Sequence, residues 1–306
     1  MKIIGQGMDR TDGRLKVTGA AKYSAEHAVP RLAQAVMVQS TIPNGRIVAI
    51  DDAAARVLPG VLAVMTHLNA PRLPVQPKRA PGAQGNPRLT LLQDDLVQYN
   101  GQPIAVVVAD TLEHAQDAAR RLQVRYAARP AELSFKHAKA SPRKPATQPG
   151  QSPDSSRGNA AGSMSRSAMK IDVVYTTPLE SHNPMEPHAT IAAWNGDELT
   201  LYDSTQNISG VRRTAVKTLG VAADKVRVVC LFVGGGFGSK GATWSHVMLA
   251  AMASRLPGQA GARTHPDGWP GRRAADDGTA HADGRGARRQ ARCRDPRHRV
   301  EHLFHR

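Results

Sequence analysis

The chain has 306 residues, 41% hydrophobic and 4% aromatic, with a formal charge of +16 and a mean hydropathy of -0.40. That length allows two domains with buried cores, and no run of 18 apolar residues is present to span a membrane. The charge is dispersed: residues 257–306 carry 11 Arg and no Lys against 6 Asp and Glu, and no interleaved aromatics form a base-stacking surface, which argues against nucleic-acid binding.

Two cysteines, Cys230 and Cys293, are too few for a disulfide framework or a zinc site. None of the 12 histidines falls in an H-x-x-x-H pair on a convincing helix, so most of them read as surface residues. The N-terminus "MKIIGQGMDRTDGRLKVTG" lacks the apolar segment of a signal peptide.

Residues 1–130 read as one α/β unit. "LAQAVMVQS" and "GVLAVMTH" are strand-like, and "AIDDAAARVLPG" between them reads as a short helix closed by Pro59-Gly60. "PRLPVQPKRAPGAQGNPR" reads as a solvated loop. Ile104–Ala109 is a buried-strand run. Asp110 or Thr111 caps the following helix, whose Leu112, Ala115, Ala118, Ala119 and Leu122 share one face. "LQVRYAA" then completes a β-α-β segment. Residues 131–169, rich in Pro, Ser, Gly and Ala, read as a linker. A second domain follows, with strands expected at Ile171–Thr176, Thr190–Trp194 and Leu199–Asp203. "NGD" makes a hairpin turn between the last two. A helix from Ser209 to Leu219 stops at Gly220.

The next stretch, "VRVVCLFVGGGFGSKGATWSHVMLAAMASRL", runs from a β-branched run through a glycine-rich loop into a helix over Thr243–Arg255. It fails the P-loop pattern, because Lys240 is followed by Gly241. It matches G-x-G-x-x-G at Gly236, Gly238 and Gly241, but no acidic residue ends a strand about 20 positions on, as a dinucleotide fold requires. Consecutive glycines let the backbone approach a ligand and present N–H groups to an anion. Phe237 among them either faces a cavity or wedges into the core.

Three ordered motifs carry a family resemblance. "DSTQNISGVRRTAVKTLGVAADKVRVVCLFVGGGFGSKG" resembles the molybdenum-cofactor subunit of the xanthine dehydrogenase and aldehyde oxidase family. "TTPLESHNPMEPHATIAAW" resembles the segment upstream of it. "GMDRTDGRLKVTGAAKYSAEHAVPRLAQAVMVQSTI" resembles the start of that family's α/β hammerhead domain. The wording is most similar to the bacterial aldehyde oxidoreductase branch, and the resemblance covers residues 1–256.

The resemblance implies an α/β (α+β) fold, with a hammerhead-like domain followed by the first part of a molybdopterin-binding domain over 170–256. It implies a molybdenum–molybdopterin cofactor in the cytosine dinucleotide form, with the metal held through the pterin and not by protein ligands. Gln206 would lie beside an oxo ligand, Asn207 next to it, and Gly235, Gly236 and Gly238 would donate to cofactor oxygens. Phe237 would line the substrate pocket. Glu186 matches the family motif, as does His188; Glu186 stands either at the pocket or as a structural carboxylate paired nearby. Gly241 replaces a glutamate of purine-oxidising members, which favours aldehydes. The implied reaction is oxidative hydroxylation of an aldehyde or N-heteroaromatic carbon with water. Electrons pass to 2Fe-2S and FAD on partner subunits. The implied location is the cytoplasm, or the periplasm by co-export with the iron–sulfur partner. The alternatives are a dinucleotide-binding module using the Gly236–Gly241 loop and a basic nucleic-acid-binding protein.

After Leu256 the composition changes: Ile is absent, Val300 and Leu303 are the only long aliphatics, and Arg, Gly, Ala, His, Asp and Pro dominate. Such a tail, 257–306, is expected to be disordered. Codons exist for "GQAG" that give G-K-P-V one base later, and the same shift of "RRQARCRDPRHRVEHLFH" permits a strand-like string. The tail therefore reads as out of frame, and the chain as a truncated subunit, inactive alone and lacking the family's base Glu.

Overall fold

The computed structural model describes residues 4–74, 89–142, 154–178, 180–256 and the backbone of 261–265. Expectations for most of the Pro-rich loop, residues 143–153 of the linker and most of the tail fall on residues outside these ranges. Helix α1 spans Gly13–Val17 and a 3-10 turn covers Ser24–Glu26. Then come β1 (Leu32–Gln39), β2 (Gly45–Asp51), α2 (Ala53–Arg56), β3 (Val61–Thr66), β4 (Leu96–Val97), β5 (Pro103–Ala109), α3 (Leu112–Arg121) and β6 (Gln123–Ala128). Short helices α4 (Phe135–Ala138) and α5 (Ala160–Arg166) lie in the expected linker. They precede β7 (Thr190–Asn195), β8 (Glu198–Asp203), α6 (Ile208–Leu219), β9 (Val226–Val229), α7 (Ser245–Ala253) and β10 (Gly261–His265).

Two sheets organise these elements. The larger has the order β3-β5-β1-β10-β7-β8-β9, and the smaller β4-β2-β6. All seven residues of β5 are buried, as an all-apolar run of that length requires. The Thr111 hydroxyl accepts from the His114 N–H at 3.2 Å and caps α3, while Asp110 pairs with His114 at 2.6 Å. The β7–β8 hairpin turns at Gly196 and Asp197, with Gly196 at φ 61. Helix α6 ends at Gly220, whose φ of 68 and N–H bond to the Val216 carbonyl make a left-handed cap.

Several expectations are corrected. The run read as a helix from Ala49 begins as strand β2, because it alternates and pairs with β6; only Ala53–Arg56 is helical. Strands β5 and β6 flank α3 but belong to different sheets, so the segment is not a β-α-β unit of one sheet. Ile171–Thr176 is not a strand. It has the composition of one but, among the described residues, only an isolated bridge at Thr176, and Ile171, Val173, Val174 and Tyr175 stay exposed. Within the tail expected to be disordered, Gly261–His265 forms β10, central in the larger sheet, parallel to β1 and antiparallel to β7. Main-chain pairing on both sides needs no aliphatic side chains, which is why composition misses it.

The main core lies between the larger sheet and α6 and α7. All nine residues of α7 are buried. Leu73, Leu89, Leu91 and Leu92 from the first half of the chain pack into the same core. Thr90 N–H donates to Ser245 Oγ at 3.1 Å, and Trp194 Nε1 donates to the Ala251 carbonyl at 2.9 Å. A helix apolar on every side is a core helix.

Candidate functional site

Strands β8 and β9 are parallel neighbours, so the segments that follow them leave the sheet at the same edge. Strand β7 runs antiparallel to β8, so the residues before it arrive at that edge too. Three stretches distant in sequence are thereby brought together: Glu186–His188, Ser204–Asn207 and Gly234–Lys240. Loops converging at the carboxyl ends of parallel strands are a usual place for a site.

The glycine loop is a tight, ordered turn. Ser239 N–H donates to the Gly236 carbonyl at 2.8 Å and Gly241 N–H to the Gly238 carbonyl at 3.0 Å. Gly235 and Gly238 have φ of 97 and 100, conformations that L side chains rarely adopt. A Cβ on Gly236 would stand 2.7 Å from Gln206 Oε1, and one on Gly234 would stand 2.4 Å from Glu186 Cβ. Glycine is favoured by torsion at 235 and 238 and by the close Glu186 Cβ at 234, whereas at 236 the exposed Gln206 side chain could move aside. Among the described residues, no acceptor takes the backbone N–H groups of Gly235, Gly236, Phe237 or Gly238. Helix α7 starts only at Ser245, so the G-x-G-x-x-G match does not open directly into a helix as a dinucleotide loop does.

Phe237 sits at the loop tip with φ 51 and is 72% exposed, its ring edge lying against Gly235. The core-wedge alternative is removed. Gln206 is exposed beside the loop, with its N–H donating to the Lys240 carbonyl at 2.8 Å. Asn207 caps α6: its Oδ1 accepts from Gly210 N–H at 2.9 Å.

Glu186 lies behind the loop, not at its mouth. Its Oε2 accepts from Ser204 Oγ at 2.6 Å, Gly234 N–H at 2.7 Å and Lys240 Nζ at 2.9 Å, and its Oε1 from Ser24 Oγ at 3.2 Å. Burial alone raises this carboxyl, but those donors outweigh it and leave its pKa below the ordinary value. These bonds pair Glu186 with Ser24, Ser204, Gly234 and Lys240.

Most histidines read as surface residues, but His188 and His246 are buried here. His188 Nε2 lies 3.3 Å from Ser239 Oγ, and its ring meets His246 edge-on at 5.5 Å between centroids. Burial, and then the Lys240 charge, pull the His188 pKa down to about 3; burial also takes His246 well below its ordinary value. Asp203, bonded by Thr190 Oγ1 at 2.5 Å, is raised by burial to about 6. Sequence reading missed this layer because no short-range spacing joins 188, 203 and 246; only the sheet does. Among the described residues, no group of three His, Cys, Asp or Glu could hold a metal ion, and no helix is long and apolar enough to cross a membrane.

Comparison with known proteins bears on this geometry. The family described as the aldehyde oxidase and xanthine dehydrogenase a/b hammerhead domain matches residues 18–130, and that described as the molybdopterin cofactor-binding domain matches 143–260. The chain is 39% identical over 257 residues to the aldehyde oxidoreductase molybdenum-binding subunit PaoC of Escherichia coli K12, covering 83% of this chain and 34% of that protein. It is 32% identical over 258 residues to a xanthine dehydrogenase molybdenum-binding subunit of Escherichia coli O157:H7, covering 81% of this chain and 34% of that protein. Among solved structures, quinoline 2-oxidoreductase from Pseudomonas putida 86 is similar with a TM-score of 0.69 at 25% identity, covering 85% of this chain and 34% of that one. The aldehyde oxidoreductase of Desulfovibrio gigas shares the fold, with a TM-score of 0.64 at 20% identity over 84% of this chain and 29% of that one. The chain therefore spans about a third of the length of these relatives. With a hammerhead-like α/β domain leading into a molybdopterin-binding segment, the chain belongs to the molybdenum-cofactor-binding large-subunit family of xanthine dehydrogenases and aldehyde oxidases.

Proposed function

We propose that this chain supplies the Gln206 and glycine-loop wall of a molybdenum–molybdopterin site in a hydroxylase of small aldehydes. The observation that carries the reading is the row of four loop N–H groups, Gly235 to Gly238, with no acceptor among the described residues, beside the exposed Gln206 amide. The residues present fit an oxygen-rich cofactor. The donors are fixed by a turn in which Gly235, Phe237 and Gly238 hold positive φ, and Gly236 packs against the Gln206 side chain. His182, whose Nε2 would lie 3.7 Å from a Cβ on Gly238, has a buried Nδ1 with no hydrogen-bond partner among the described residues.

When bound, the cofactor supplies the two-electron chemistry that moves oxygen from water to the substrate carbon. Gln206 holds an amide donor at the loop face, where it can stabilise developing negative charge. Phe237 offers an apolar wall on the same side. Gly241 leaves no carboxylate after Lys240 to anchor a purine, which favours an aldehyde, the substrate class in the printed name of the 39% identical relative. The cytosine dinucleotide form of the cofactor, 2Fe-2S and FAD partners, and a cytoplasmic or co-exported periplasmic setting belong to the same proposal.

The family match ends at residue 260, close to the compositional change after Leu256. This supports an altered reading frame there, and with it the absence of activity from the chain alone. The nucleotide sequence around the Gly258 codon tests the frame. In the frame-restored subunit made with its partners, stoichiometric molybdenum is expected. Absence of molybdenum from that complex overturns the reading.

A further inference from the structure

We propose that Glu186 and Lys240 are positioning residues: together they clamp the two ends of the glycine loop and the backbone that presents Gln206 into one geometry. The inference rests on the reading of the loop as a cofactor cradle and names what holds that cradle in shape.

The Lys240 side chain is 0% exposed and that of Glu186 11%. Removing two charges from water is costly, so such a pair persists where its geometry and remaining bonds are good. Here they are. Lys240 Nζ reaches both the Glu186 carboxylate, at 2.9 Å, and the Glu186 main-chain carbonyl, at 2.8 Å. The same carboxylate takes the N–H of Gly234, and the Gly234 carbonyl accepts from Glu186 N–H at 3.0 Å, so the loop entrance is tied twice to one residue. At the loop exit, the Lys240 carbonyl accepts from Gln206 N–H at 2.8 Å and from Thr205 Oγ1 at 3.3 Å. Ser204, two residues before Gln206, donates to the carboxylate. Ser24 ties in the first half of the chain through Glu186 Oε1 and the Ala189 carbonyl, at 3.2 Å each. One ion pair thus connects loop entrance, loop exit and the Gln206 segment. The N–H groups of 235–238, which have no acceptor among the described residues, lie between its anchor points.

The test is amide hydrogen exchange on the 306-residue chain, read beside its thermal midpoint. Lys240→Met leaves Glu186 buried without its cation. Exchange at Gly234, Gln206 and Ser239 is expected to quicken by about tenfold or more, while β5 and α3 change only as global stability changes. Glu186→Gln/Lys240→Met then removes the uncompensated charge. The thermal midpoint is expected to recover, but the fast exchange at 206 and 234–239 is not, because the link from Nζ to the main-chain carbonyl stays broken. A merely structural pair gives the opposite: loop protection returns along with the midpoint, and the proposal falls. If Lys240→Met does not fold, Ser204→Ala, which removes one donor, carries the same comparison, with faster exchange at Gln206 and Gly234 expected. Unchanged exchange at both sinks the clamp. None of these readouts requires cofactor. Loss of the clamp leaves the proposed function standing, and a frame-restored complex without molybdenum overturns that function while leaving the clamp intact.

Discussion

At Phe237 a bulky, 72% exposed residue holds a left-handed backbone. That conformation costs about 1–2 kcal/mol for a non-glycine residue. Phe237→Gly is expected to gain about 1 kcal/mol, and Phe237→Ala to leave the thermal midpoint nearly unmoved. A drop equivalent to the 3–5 kcal/mol (approximate) of a core Phe truncation contradicts the exposed placement. In the frame-restored enzyme, Gln206→Ala is expected to lower kcat by about 100-fold with little change in KM, since its amide meets charge that develops during reaction; steady-state kinetics with an aldehyde decide. Asn207→Ala is expected to cost about 1 kcal/mol through loss of the α6 cap, without loss of molybdenum if capping is its whole role. The buried titrating layer sets a pH dependence. His188 and His246 stay neutral when folded, whereas an unfolded imidazole takes a proton near pH 6.5, so stability falls as pH drops from about 6.5 toward 3. Asp203 opposes this: with its folded value raised to about 6, it favours the folded state as pH drops from about 6 toward 4. With two imidazoles against one carboxyl, acidification from pH 7 to pH 5 is expected to lower the midpoint. His188→Gln should flatten that fall and Asp203→Asn should steepen it, as thermal unfolding at the two pH values would show.

At the scale of elements, the features legible in the sequence were those whose cause is local. The seven apolar residues of β5, the Thr111 cap of α3, the Gly196 turn and the Gly220 stop each state their structure within a few positions. What escaped depends on partners. Ile171–Thr176 has strand composition but pairs only at one bridge among the described residues, whereas Gly261–His265 lacks strand composition and pairs on both sides. Helix α7 was legible as a helix but not as a central one, because its burial comes from the strands of the larger sheet, chiefly β7 and β10, with Leu73, Leu89, Leu91 and Leu92 in the same core. Leu249, fully buried there, is expected to cost about 2–5 kcal/mol when truncated to Ala, measured by denaturant unfolding. An effect below about 1 kcal/mol would mean the helix is not packed on all sides.

At the scale of the whole molecule, the Gln206 and glycine-loop face was legible because family motifs mark it, but the Glu186–Lys240 support behind it was not. The supporting residues lie 54 positions apart, and only the arrangement of β7, β8 and β9 makes them neighbours. The larger sheet has a further consequence, for the order of folding. Strand β1 lies beside β10, with Leu32 opposite Gly261, so during synthesis β1 leaves the ribosome long before its neighbour exists. Strand β7 waits for the same partner. Until residues 261–265 emerge, two strand edges stand open in one nascent chain, each able to recruit a strand from another polypeptide. Productive folding is therefore expected to depend on a chaperone that shields those edges, and a chain cut after Leu256 should aggregate even though every α7 residue has already been made.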